Sequence, residues 1–160
     1  MVPATSTRRR HLACSERGSA SIEFAASAIV FFMTLIGLMK LCLAVYTFHF
    51  VSEAAREGAR YAMVRGSACT RFGSACPAST TDIQTYVQGL SYPGISSAAE
   101  TVTTTYAAYP TGYGCTPSAT CNNPGNLATV KVSYAFPLSI PFMTKKTYTM
   151  TSTAAVVISQ

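Results

Sequence analysis

RGSASIEFAASAIVFFMTLIGLMK, residues 17–40, decides how the rest of the chain is read. A basic segment leads to Gly18, and one carboxylate, Glu23, stands at the mouth of an apolar run that reaches Met39. A carboxylate at the edge of hydrocarbon is costly unless a cation or polar group answers it, so by default it marks function. Around this stretch the chain reads as a basic tail, an anchor and a small exported head.

Ala25 to Met39 is apolar apart from Ser27, Thr34 and Gly37, and Leu41–Phe50 extends the run past Lys40. A span needs about 20 residues, so one starting near Ile22 exits near Leu41–Leu43, where Lys40 can snorkel to the interface. The predicted membrane segment is therefore about residues 22–43. Arg8, Arg9, Arg10 and Arg17 all precede it, and the positive-inside rule puts the leader in the cytoplasm and the head outside. Nothing stops the helix at the membrane surface. Residues 52–62 are rich in helix formers, with Glu57 and Arg60 spaced for pairing. Phe48, Val51, Ala55, Ala59 and Ala62 trace a stripe at steps of three and four, and Gly66 is a plausible stop. A helix over 20–65 would run for about 70 Å, more than twice a hydrocarbon core.

The composition agrees with an anchored chain. It is 49% hydrophobic and only 11% charged, well below the roughly 25% charge of soluble domains. The net charge of +6 falls to +3 once residues 1–18 are set aside. The basic excess is thus partly a topology signal, and no basic helix with interleaved aromatics points to nucleic acid. Residues 1–18 admit three readings: the n-region of a secretory signal with a small-x-small site at Cys42-Leu43-Ala44, an uncleaved cytoplasmic tail, or a leader cut right after Gly18. Only the third gives Glu23 a task.

Gly18, then Glu23 five places on, then aromatic Phe24, resembles the type IV pilin class of precursor. The later Ala-Ala-Arg-Glu-Gly-Ala-Arg-Tyr-Ala run, residues 54–62, is similar to the TadE family of the Flp/Tad pilus machinery. The resemblance covers about Arg17 to Val64. It implies cutting between Gly18 and Ser19 by a prepilin peptidase at the cytoplasmic face, and a minor pilin or pseudopilin role in pilus assembly. It also implies a single-pass protein of the bacterial cytoplasmic membrane, partnered by other pilin subunits, the Tad inner-membrane machinery and lipid. Phe24 stands where family precursors carry Tyr. The physics is compatible: Gly18 is small and flexible before the scissile bond. The new ammonium of Ser19 would lie about one helical turn from Glu23, which could pair with a neighbouring subunit's N-terminus. The plain alternative is that Glu23 faces head groups near a helix N-terminus, where an acid is favourable anyway.

Residues 66–160 read as the exported head. Thr81-Asp82-Ile83-Gln84 fits a capping box, and Ile83, Tyr86, Val87 and Leu90 make one face of a short helix ended by Gly89. Pro93-Gly94 marks a turn. Three strands follow: Glu100–Tyr109, with Val102, Thr104 and Tyr106 on one side; Leu127–Phe136, with Val130, Val132, Tyr134 and Phe136; and Tyr148–Ile158, with Met150, Ala154, Val156 and Ile158. The expected fold is α+β: a long transmembrane helix continuing into a small pilin-like head with a short helix and a three-stranded antiparallel sheet. Its core is small, and disulfides would add stability. Cys69 with Cys76 and Cys115 with Cys121 is the simplest of three connectivities, a zinc site being the alternative. Cys14 reads as a leader thiol and Cys42 as a small apolar membrane residue. Tyr106, Tyr109 and Tyr113 form either a contact loop or a tyrosine-lined core edge. Residues 137–142, PLSIPF, make an apolar connection that touches lipid, touches a partner or folds back on the sheet.

Beyond Gly66 the acids are Asp82 and Glu100, and His11 and His49 lie outside the head. No Ser/His/Asp or Cys/His set can assemble there, so neither an enzyme nor a cofactor is expected. The rival to a pilin is a binding module, anchored without processing or released near Ala44, using the Tyr-rich loop for an outside ligand.

Overall fold

A computed structural model describes residues 17–70, 76–90, 92–109, 121–141 and 144–159. The leader arginines Arg8, Arg9 and Arg10, and with them Cys14, Cys115 and Tyr113, lie outside the described residues. Helix α1 spans Arg17–Met63, helix α2 Thr80–Gln88, and strands β1, β2 and β3 span Glu100–Ala107, Leu127–Leu138 and Lys146–Val157. A single-turn 3₁₀ helix, Ser97–Ala99, leads into β1. This is the expected α+β composition. The chain divides into two compact units between Leu38 and Met39, and α1 contributes to both.

In the first unit α1 carries no proline and is dominated by Ala, Ile, Phe, Leu and Met, which keep the helix regular. Ile22, Phe24, Ile29, Val30, Phe31, Phe32 and Leu38 are all exposed. Thr34 folds its hydroxyl back to donate to the Phe31 carbonyl at 2.7 Å, so its polar group is satisfied within the helix. The helix is long and apolar enough to cross a membrane, and none of its most apolar stretch is buried against protein.

In the second unit α1 changes character. Thr47, Phe50, Val51, Ala54, Ala55, Ala59 and Ala62 are buried, a stripe at helical spacing made mostly of small residues. Phe48, expected on this stripe, is instead 53% exposed. At this end the cover comes from Tyr92, whose ring packs on Phe50 at 4.6 Å, and it does not extend to the Phe48 side. Gly58 marks the closest approach: a Cβ there would lie 2.8 Å from Val87 and 3.0 Å from Val130. That one position brings α1, α2 and the central strand together.

The sheet is antiparallel in the order β1-β2-β3. Its register aligns Val102 with Val132, Val130 with Ala154, Tyr134 with Met150 and Leu138 with Lys146. Val130, Val132, Tyr134 and Phe136 alternate inward on β2, as their period-two pattern predicts. Tyr106 belongs to the core as part of β1, whereas Tyr109 is exposed. Pro137 and Leu138 extend β2 rather than starting the connection. β3 buries its inner face only partly until Ile158, which is fully covered. Gly125, at a positive φ of 87°, lets the turn before β2 fold back so that its N–H reaches the Ile158 carbonyl.

The cap of α2 differs from the expected one. Ser79, not Thr81, is the N-cap: its hydroxyl accepts from the Asp82 N–H while the Asp82 carboxylate accepts from the Ser79 N–H at 2.8 Å. A charged carboxylate is a stronger acceptor than the glutamine amide that a Thr81 cap would have used. The remaining reading holds. Ile83 and Val87 are buried, Tyr86 and Leu90 pack against the core, and Gly89 is the C-cap.

Candidate functional site

The first turns of α1 hold the residues singled out by sequence. The helix begins at Arg17, so Gly18 and Ser19 lie in its first turn and Glu23 about one turn further on. Gly18 is exposed, and a Cβ there would meet nothing within 4 Å. Glu23 is exposed, and Phe24 beside it is 77% exposed. Glu23 forms no ion pair among the described residues. The carboxylate therefore stands on an open apolar surface, next to an accessible peptide segment. Chemically, such an arrangement can offer a backbone to a protease and an acid to an incoming cation.

The head presents a second group of features, all within the second unit. Glu53 pairs with Arg56 at 3.7 Å and Glu57 with Arg60 at 3.2 Å, along one exposed face of α1. Those four side chains share a cleft of about 340 Å³ with Ala154, Ala155 and Val156 of β3. On the opposite flank the Arg65 guanidinium lies 3.8 Å over the Tyr61 ring, which stacks on Tyr86 at 4.3 Å. That ladder ties α2 to the end of α1.

Cys69 and Cys76 are joined as a disulfide, which removes both from the zinc alternative. Cys121 is also disulfide-bonded, and its expected partner Cys115 lies outside the described residues. Cys42 is a free, exposed thiol on α1. Among the described residues no group of three or more His, Cys, Asp or Glu side chains could hold a metal ion.

Two ionisable groups in the head depart from their ordinary behaviour. The Asp82 carboxyl is held below the usual carboxylate range by the Ser79 hydroxyl and N–H bonds of the cap. Glu100 is the residue that sequence reading missed. It is 5% exposed at the start of β1, its Oε1 has no hydrogen-bond partner, and burial pushes its pKa up to about 7. The available signal was the alternation itself. Glu100 shares the parity of Val102 and Tyr106, and so had to face the core.

A helix long and apolar enough to cross a membrane, with one acid near its start, continuing into a small α+β head built on its own second half, defines an architectural class. Within that class the chain is similar to the family described as TadE-like protein, whose model matches residues 18–60. The match begins at Gly18 and covers α1 almost to its end. No curated protein and no solved structure matches the chain.

Proposed function

We propose that the chain is a minor pilin or pseudopilin of a Flp/Tad pilus system, made as a precursor and cut after Gly18 by a prepilin peptidase. Residues 1–18 form the cytoplasmic leader, residues 19–65 the helix with its membrane span at about 22–43, and residues 66–160 the exported head. The protein is a single-pass protein of the cytoplasmic membrane with its head on the far side. Its partners are the peptidase, other pilin subunits and the Tad assembly machinery. The observation that carries this reading is a TadE-like match that starts at the very glycine preceding the proposed cut. The exposed Glu23 supports it: after cutting, the Ser19 ammonium of a neighbouring subunit is a cation that offsets the cost of placing that carboxylate in hydrocarbon.

Sequencing the N-terminus of the membrane-extracted protein tests the assignment. Ser19 as the first residue supports it, whereas an intact Met1 or a start at Val45 removes it. A Glu23→Ala variant is expected to be made, cut and inserted in normal amount yet to abolish piliation, scored by electron microscopy of the cells. Normal piliation in that strain would leave Glu23 with no role in assembly.

A further inference from the structure

Just past the proposed membrane exit, α1 carries a pocket that the pilin reading does not use. Tyr46, His49, Phe50 and Glu53 recur at steps of three and four, so they share one face of the helix. With Tyr92 they line a cavity of about 280 Å³. Phe50 is its buried floor. The Tyr92 ring meets the Phe50 ring at 4.6 Å with the planes 58° apart, so the two rings form a corner. The Tyr46 hydroxyl reaches the Pro93 carbonyl at 3.5 Å, which ties the segment carrying Tyr92 to the helix. Glu53 is an exposed carboxylate on the rim. Its 3.7 Å contact with Arg56 is a surface pair with both partners exposed, worth little and easily rearranged.

Three aromatic rings and one carboxylate around a cavity suit an ammonium group. The ring faces attract the cation, and the carboxylate accepts its N–H bonds with charge assistance. His49 stands one turn before Glu53, about 5–6 Å away between Cβ atoms. An imidazole N–H there donates to a phosphate oxygen. The ligand that satisfies both residues carries an ammonium and a phosphate side by side. The level of the pocket agrees. Along α1, Tyr46 lies about 5 Å and His49 about 9 Å beyond Leu43. The head-group layer is about 5–7 Å deep, and helix side chains lean back toward the N-terminus. The pocket therefore opens at the outer edge of that layer, with His49 on the membrane side of Glu53. In a phospholipid the phosphate likewise lies on the acyl side of the amine. A lysine of a protein partner offers the ammonium without the phosphate, so the paired chemistry favours lipid.

We infer that this pocket binds the head group of phosphatidylethanolamine. The ammonium sits over Phe50 between Tyr46, Tyr92 and the Glu53 carboxylate, and the phosphate lies toward His49. This rests on the anchor reading of α1, and the test separates the two. The chain contains no tryptophan, so Phe31→Trp in vesicles of brominated lipid reads the anchor alone and is expected to be quenched by deep bromines. For the pocket, full-length protein in dodecyl maltoside micelles is mixed with equal amounts of phosphatidylethanolamine and phosphatidylglycerol. Native mass spectrometry then counts the lipid retained. Phosphatidylethanolamine is expected to be retained about tenfold over phosphatidylglycerol, which has no amine. Glu53→Gln and Tyr46→Leu, both at exposed positions and checked for folding by near-UV circular dichroism, are expected to cut that preference to about twofold. A quenched Phe31→Trp with equal retention of the two lipids overturns the proposal, as does a preference unchanged in both variants. Full displacement of the lipid by free ethanolamine or Nα-acetyl-lysine methylamide overturns the lipid source and leaves the pocket to a soluble amine or a partner's lysine. An unquenched Phe31→Trp overturns the anchor, and the lipid source with it.

Discussion

Gly37 and Gly58 occupy one continuous helix yet meet opposite surroundings. A side chain added at Gly37 would meet nothing within 4 Å, whereas one added at Gly58 would collide with Val87 and Val130. Their neighbourhoods differ in the same sense. Around Gly37 the helix carries Phe31, Phe32, Leu35 and Leu38, all turned outward. Around Gly58 it carries Ala54, Ala55, Ala59 and Ala62, all buried. Where protein covers the helix the side chains shrink, because a sheet and a second helix must reach its backbone. Where protein does not cover it they stay large. Residue size along α1 therefore records which length is roofed by the chain itself.

The sharpest way to break this contrast is at the close approach. Gly58→Val is expected to destabilise the head by more than about 3 kcal/mol, since the overpacking falls on two β-branched neighbours in a small core. A cooperative thermal melt followed by tyrosine near-UV circular dichroism reads it, and an unchanged midpoint would mean the packing is looser than described. Next comes Glu100→Gln. The folded carboxyl titrates near 7, above its ordinary value of 4.5, so ionisation opposes folding. Its stability contribution is fully present below about 4.5 and is lost as pH rises through about 7. Wild-type stability should fall across that window by roughly 3 kcal/mol, and the glutamine variant should flatten the slope. Ser79→Ala should cost about 1 kcal/mol through loss of the α2 cap, with the larger effect above the acid range, where Asp82 is ionised. Smallest of all, Gly37→Val should leave the head's stability within about 0.5 kcal/mol of wild type. A large effect there would erase the distinction between the two lengths of helix.

Much of this was legible in the residues because each signal was periodic or chemically singular. Val130, Val132, Tyr134 and Phe136 alternate, and the structure puts all four inward. The Ala-rich positions of residues 51–62 step by three and four, and the structure buries them. Phe48 failed because helical phase specifies a direction and not whether anything lies in that direction. The α2 cap was misplaced because Ser79 and Thr81 both begin plausible boxes, and only the geometry of the Asp82 carboxylate separates them. Glu100 was passed over because polarity and strand parity conflict there, and parity won. The N-terminal stretch was legible as residue types alone: Gly18, Glu23 and Phe24 are exposed on α1, and Glu23 forms no ion pair among the described residues.

The bond between Met63 and Ser159 joins residues 96 positions apart, and β2, the middle strand, needs both the helix beneath it and β3 beside it. No early portion of the polypeptide can therefore close a core by itself while synthesis is under way. A core that waits for its last strand is folded only once the chain is finished, in whatever compartment that chain then occupies.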